Sequence, residues 1–429
     1  MRGMKTEFTL TNYLNDKSLH TVNLDPEKCK GCITCMRRCP TEAIRVRGGK
    51  ASVDYDRCIG CGECVRLCTH QAKLPSHDSW DTLGDFKYKI VLPPPSLYGQ
   101  FNNLDNIDVV LNGLIELGFD EVYEVGLAAE YISSVTKILL DRKEVKKPVI
   151  STACPAILEL IMMKYHNLAD NLLPVLAPVD VAAKMARERA IARGIPKEDI
   201  GVYFISPCPA KVFALKTGIG VNQPYVDRVL SVADAYMRLV PVMNNIKDTK
   251  PITKMCATGL RWGVSRGEAN AIFHEKTIAA DGVENCVKIL EAVEDGSLDD
   301  IEFIELNACT AGCVGGVMNV ENPFVARGRL YQLARKMSTG VNNVTDLGKS
   351  KEYFLWEESP VVKDVFKLDE DRFTAMSKLM EIESTVATLP LADCGLCGAP
   401  SCRAYAEDLV AGIIPKDTKC PRLLEEERK

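Results

Sequence analysis

The chain has 429 residues, enough for roughly two to four domains around sizeable cores. Its 53 Lys and Arg against 58 Asp and Glu leave a net charge of −5, which argues against a nucleic-acid binder with a basic face. The 46% apolar content fits a globular protein, no run of eighteen apolar residues marks a membrane span, and MRGMKTEFTL lacks the apolar core of a signal peptide, so a cytoplasmic location is expected.

The 18 cysteines are the dominant feature of the chain. Without an export signal, clustered cysteines read as metal ligands rather than disulfides. They fall in three groups: eight from Cys29 to Cys68, six from Cys154 to Cys313, and four from Cys394 to Cys420.

Residues 29–39 read CKGCITCMRRC and residues 58–68 read CIGCGECVRLC. Both are C-x2-C-x2-C-x3-C, and each cysteine recurs 29 positions later, so two copies of one supersecondary unit are expected. Three cysteines on a tight loop reach three irons of one cubane, and the fourth points to the other cluster. Cys29, Cys32, Cys35 and Cys68 are thus expected to hold one [4Fe–4S] cluster, and Cys39, Cys58, Cys61 and Cys64 the second. Zinc is the competing occupant, but it favours C-x2-C pairs separated by longer gaps. Pro40 follows the first motif, whereas Thr69 stands at that place in the second. The pattern resembles a bacterial two-cluster ferredoxin, and the domain is expected over 20–78.

From about residue 86, short apolar runs alternate with amphipathic stretches. Strands are expected at Tyr88–Leu92, Pro148–Ser151, Val202–Ser206 and Ile301–Leu306. Helices are expected at Asp105–Leu117, Pro155–Lys164, Val179–Ala192 and Val226–Leu239. The alternation predicts an α/β domain with parallel sheets. Three of the strands run into cysteines, at Cys154, at Cys208, and at Cys309 with Cys313. Ligands of open α/β sheets sit beyond the carboxyl ends of the strands, so these loops could deliver four thiolates to one point. Ordinary buried core cysteines are the alternative.

STACP at 151–155, SPCPAK at 206–211 and ELNACTAGCVGG at 305–316 resemble the three signature segments of the [FeFe]-hydrogenase catalytic domain. EVGLAAEY at 124–131, ILELIMMKYHNLADNLLP after Cys154, and TGLRWGVSRGEA at 258–269 agree as well. The resemblance implies a two-lobed α/β domain over 86–345. It implies a cubane on Cys154, Cys208, Cys309 and Cys313, with Cys313 bridging to a diiron subcluster bearing CO and CN⁻. Lys211 matches the lysine that hydrogen-bonds a cyanide, unless it is a solvated surface lysine. Trp262 falls where the family places an aromatic over the cluster, with core packing as the alternative.

The match breaks at the proton route. The relay cysteine position holds Ala153, two methionine positions hold Ser206 and Asn307, and the last glycine of the third segment is Val317. PPPSLYGQFNN at 93–103 contains no carboxylate. General acid–base groups are worth about 10²–10⁴ in rate, so H2 chemistry here should be slow. This combination resembles the divergent sensory branch of the family.

CGLCGAPSC at 394–402 followed by Cys420 gives C-x2-C-x4-C-x17-C. It resembles the small four-cysteine [4Fe–4S] domain of electron-transfer and corrinoid proteins, with zinc as the alternative. A helix is expected from Cys402 to Val410. The module is expected over 386–429, behind a charged linker over 346–385 with Trp356 as an anchor. Cys256, Cys286 and the histidines at 20, 70, 77, 166 and 274 form no ligand spacing. No flavin or nicotinamide pattern is present, so electrons are expected from a redox partner, either a ferredoxin or a complex subunit.

The expected protein is an iron–sulfur oxidoreductase with four [4Fe–4S] clusters, typical of anaerobic metabolism. Its expected role is slow, reversible H2 oxidation and proton reduction, or H2 or redox sensing. The alternative is an electron-transfer subunit of a larger oxidoreductase complex without the diiron site.

Overall fold

The computed structural model describes residues 21–426. The signal-peptide reading, His20 and the first residue of the expected 20–78 domain lie outside them. The chain divides into two compact units, one joining residues up to Pro75 with those from Val362 onward, the other running from Ser76 to Val361.

The first unit begins with the cysteine repeat. Strand β1 (Val22–Leu24) is later paired antiparallel by β4 (Lys73–Pro75), and β2 (Ile44–Arg47) pairs antiparallel with β3 (Lys50–Val53). One-turn helices at Thr34–Arg37 and Glu63–Arg66 follow the two cysteine loops. Each half is too small to bury a core of its own. Met36, Ile44, Val46, Ala51 and Ala72 therefore pack in one cluster with cysteines of both repeats.

The C-terminal module folds in the same unit. Helix Arg372–Ala387, capped by Asp371, lies along helix Cys402–Val410. The loop between Cys397 and Cys402 docks on β2, where Val46 N–H donates to Gly398 O at 3.0 Å. A Cβ at Gly398 would meet Val46 O at 2.1 Å, and its φ is +79°, so no other residue fits there. Asp408, 3% exposed at its side chain, accepts a bidentate fork from Arg45 at 2.7 and 3.1 Å and a further bond from Arg47. Asp408→Ala leaves the largely buried Arg45 guanidinium without its counter-charge. A destabilisation of about 3 kcal/mol is expected. Thermal unfolding should show the iron–sulfur unit melting earlier while the Ser76–Val361 unit keeps its midpoint.

The second unit carries two parallel sheets. The first has the order β6 (Glu121–Val122), β5 (Tyr88–Leu92), β8 (Ile200–Ser206), β9 (Arg228–Ser231). The second has the order β10 (Thr277–Asp281), β11 (Phe303–Asn307), β7 (Val149–Ile150). All seven residues of β8 are buried, as expected for a central parallel strand covered on both faces. Long helices at Val125–Asp141 and Pro178–Ala192 pack on each other and on the first sheet's core.

The sequence expectations hold for β5, β8, β11 and the helices at Pro155–Lys164 and Pro178–Ala192. The helix expected over Val226–Leu239 is a strand followed by a helix. RVLS pairs with β8, and Ser231 then accepts a bond from Asp234 N–H and starts helix Val232–Met243. The segment 346–385 divides between the units. Its first part packs on the second unit, with Phe354 fully buried and Trp356 N–H donating to Pro174 O at 3.1 Å. Glu357 there accepts from Lys184 Nζ at 2.9 Å and Asn222 N–H at 3.1 Å. No helix among the described residues is long and apolar enough to cross a membrane.

Candidate iron–sulfur centres and active site

In the first unit the structure gathers the cysteines in two sets. The thiol of Cys35 faces those of Cys32, Cys68 and Cys29, and burial pushes it up. The thiol of Cys61 faces those of Cys39, Cys64 and Cys58, and burial pushes it well up. Burial raises Cys58 and takes Cys64 to about 12. The two halves repeat the same backbone contact to sulfur: Ala43 N–H donates to Cys39 Sγ at 3.3 Å and Ala72 N–H to Cys68 Sγ at 3.2 Å. Thiols that crowd one another, desolvated at Cys35 and through most of the second set, ionise together readily only against a strong cationic centre, so each set fits an iron cluster.

The C-terminal cysteines Cys394, Cys397, Cys402 and Cys420 line one small cavity with Tyr405. Cys402 and Cys420 are buried, and burial raises Cys397. Tyr405 donates to Thr418 O at 2.7 Å and so holds the approach to Cys420. Cys402 N–H donates to Asp393 Oδ1 at 2.6 Å, pinning the opposite loop. This arrangement also fits a cluster.

The middle cysteines come from both sheets of the second unit. Cys154 follows β7 and Cys208 follows β8, each in extended conformation at the start of a helix whose first residue is proline. Cys309 and Cys313 lie in the loop after β11. The loop of Cys313 closes on that of Cys208, where Met318 N–H donates to Pro207 O at 3.0 Å. A Cβ at Gly316 would meet that same oxygen at 2.2 Å, so the approach needs glycine. Burial pushes Cys208 up to about 12, where Cys313 and Cys154 add to it, and burial and Cys154 raise Cys313, while Lys211 pulls both the other way. Cys309 lies against Gly315, whose Cβ would come within 3.5 Å of its own. The thiols of Cys154, Cys208 and Cys313 are thus brought together, with Cys309 on the same loop as Cys313, and this donor set fits iron.

Beside them lies a cavity lined by Ala153, Lys211, Trp262, Glu268, Glu305, Asn307 and Cys313. Lys211 Nζ donates to Ala153 O at 2.9 Å and faces Cys313, Cys208, Cys154 and Asp180. It is therefore turned inward rather than solvated. Burial pushes Asp180 up to about 7, with Lys211 pulling the other way. Trp262 lines the cavity and also packs on the core, with Nε1–H donating to Ser133 Oγ at 2.9 Å. Ser206 turns back on its own loop, donating to Cys208 O at 2.9 Å. Val317 is half-buried against the core.

Sequence reasoning did not find the carboxylates of this cavity. Glu268 and Glu305 are both buried. Ser151 Oγ donates to Glu268 Oε2 at 2.6 Å and accepts from Ala153 N–H at 3.2 Å. Glu305 accepts from Arg266 N–H, Ala269 N–H and Asn307 Nδ2 at 2.7 to 2.9 Å. Burial first, and then the neighbouring Glu305, push Glu268 up to about 8, so it stays a neutral acid at pH 7. A glutamate inside the apolar strand FIELN was the available signal. Cys286 is buried on helix Val283–Glu294, within 3.4 Å of Asn307 O, and Cys256 starts helix Ala257–Arg261.

The family model for the iron only hydrogenase large subunit, C-terminal domain, matches residues 87–251 and 236–317, more than half of the chain. The chain belongs to the iron-only hydrogenase large subunit family. A 4Fe-4S dicluster domain matches 21–69 and an Fe-S cluster family matches 389–422 of this hydrogenase relative. A variant of [FeFe]-hydrogenase HydA1 from Chlamydomonas reinhardtii shares the fold with a TM-score of 0.52 and 16% identity, over 66% of this chain and 99% of that one. The structure of HydA(deltaEFG), which revealed stepwise [FeFe]-hydrogenase H-cluster assembly, matches with a TM-score of 0.51 and 16% identity, over 66% of this chain and 99% of that one.

Proposed function

We propose that this hydrogenase relative holds four [4Fe–4S] clusters and a diiron subcluster, and that it reacts slowly and reversibly with H2 as a sensor of H2 or redox state in the cytoplasm. The observation that carries the reading is the cavity shared by Cys313 and Lys211 beside the four-cysteine site. A cubane that only relayed electrons would need no such room. A bound diiron subcluster would supply heterolytic splitting of H2. Cys313 would hold it, and Lys211, fixed by Ala153 O, would place an ammonium beside an anionic ligand. Glu268 would hold a proton at the cavity wall, in place of the thiol absent at Ala153. The N-terminal and C-terminal clusters would exchange electrons with a partner such as a ferredoxin.

Ala153, Ser206 and Asn307 favour a second reading, an electron-transfer subunit without the diiron subcluster. Maturation with the diiron precursor followed by infrared spectroscopy separates the two. CO and CN⁻ stretching bands are expected, weakened in Cys313→Ser. A spectrum without them would sink the hydrogenase reading.

A further inference from the structure

Lys73 opens strand β4, opposite Leu24 of β1, and is 2% exposed. Its Nζ is buried and has no hydrogen-bond partner in the structure. Leaving an ammonium in a protein interior is costly unless an anion compensates it. The neighbour of Lys73, Ala72, donates N–H to Cys68 Sγ at 3.2 Å and packs in one cluster with Cys29 and Cys35 of one ligand set and Cys39 and Cys64 of the other. Lys73 is therefore buried beside both ligand sets.

Within the internal repeat, position 73 lies 29 residues after Ile44, the same offset that relates the cysteines. Ile44 is likewise 2% exposed, in the apolar core of the first half. The scaffold accepts an isoleucine at this place, and the second half carries a cation there instead. Packing alone does not call for it.

We propose that Lys73 is a positioning residue that sets the reduction potentials of the N-terminal cluster pair. A cubane held by four thiolates is a net anion and gains one more negative charge when it takes up an electron. A desolvated ammonium beside two such sites stabilises the reduced form more than the oxidised form, which raises the potential. The iron–sulfur unit then holds an electron more firmly than it would with an apolar residue at 73. Lys73 acts on the two ferredoxin-type clusters whether or not the diiron subcluster is bound.

The test is a redox titration of the full, cluster-loaded chain with dithionite, followed by electron paramagnetic resonance. The N-terminal pair is recognised by the spin coupling of its two neighbouring reduced clusters. In Lys73→Met the ratio of reduced to oxidised cluster at a fixed potential should fall at least tenfold for one cluster of the pair, a shift of about 59 mV for one electron. Lys73→Arg, which keeps the charge, should restore most of the shift. Unchanged titration curves in Lys73→Met with the coupled signal intact would overturn the proposal. Loss of the coupled signal in both Lys73→Met and Lys73→Gln would overturn it too, because the lysine would then be needed for assembly rather than for potential.

Discussion

Ala153→Cys should raise H2 evolution by the diiron-loaded protein by about 10²-fold or more. Position 153 is already held as a relay would need to be. Its carbonyl accepts from Lys211 Nζ at 2.9 Å, its N–H donates to Ser151 Oγ at 3.2 Å, and its side chain lines the cavity with Cys313. A thiol added there keeps both anchors and gains an exchangeable proton that a methyl group lacks. The added sulfur faces a cavity rather than packed core, so overpacking costs little. Rates should be compared at equal intensity of the infrared CO and CN⁻ bands, with reduced viologen in excess. An unchanged rate at equal loading would show that something other than the missing relay limits turnover.

What the sequence disclosed tracks the range of the interactions concerned. The ferredoxin-type repeat, which a 4Fe-4S dicluster domain matches, was legible because tight loops fix each C-x2-C-x2-C run locally. Strands β5 and β8 were legible because central parallel strands read as unbroken apolar runs. The break at Ser231 was not, since RVLS and the helix after it share one apolar periodicity, and only pairing with β8 separates them. Nor could spacing show that Cys154 and Cys208 come from different sheets. Arg45 and Asp408 lie 363 residues apart, so the seating of the C-terminal module on β2 left no local trace. Charged residues were the hardest to place. Lys73, Glu268 and Glu305 each look like solvated charges in a chain with 26% charged residues, and only tertiary burial gives them a task. Lys211 drew notice because it sits three residues past Cys208, and the structure turns it into the cavity.

Glu268→Gln should lower H2 turnover of the loaded protein by about 10²-fold, while the infrared bands of the diiron subcluster persist. Glutamine keeps the shape and can still accept from Ser151, but it cannot hold and release the proton. Because Glu268 titrates near 8, it can donate a proton at pH 7 and stops doing so as the pH rises past that value. Proton reduction by the native chain should therefore fall above about pH 8, and that limb should vanish in the variant. Stability gives a second readout with a definite sign. The folded chain binds an extra proton between the ordinary glutamate value of 4.5 and about 8, so its stability is full below that window and declines as pH rises through it. The variant loses this group's contribution to the slope and also relieves Glu305 of a like-charged neighbour. Its thermal midpoint at pH 8 to 9 should exceed that of the native chain, while the two converge near pH 5. If turnover and the pH profile are unchanged in Glu268→Gln, the buried acid serves only to hold Ser151, and the proton reaches the cavity by another way.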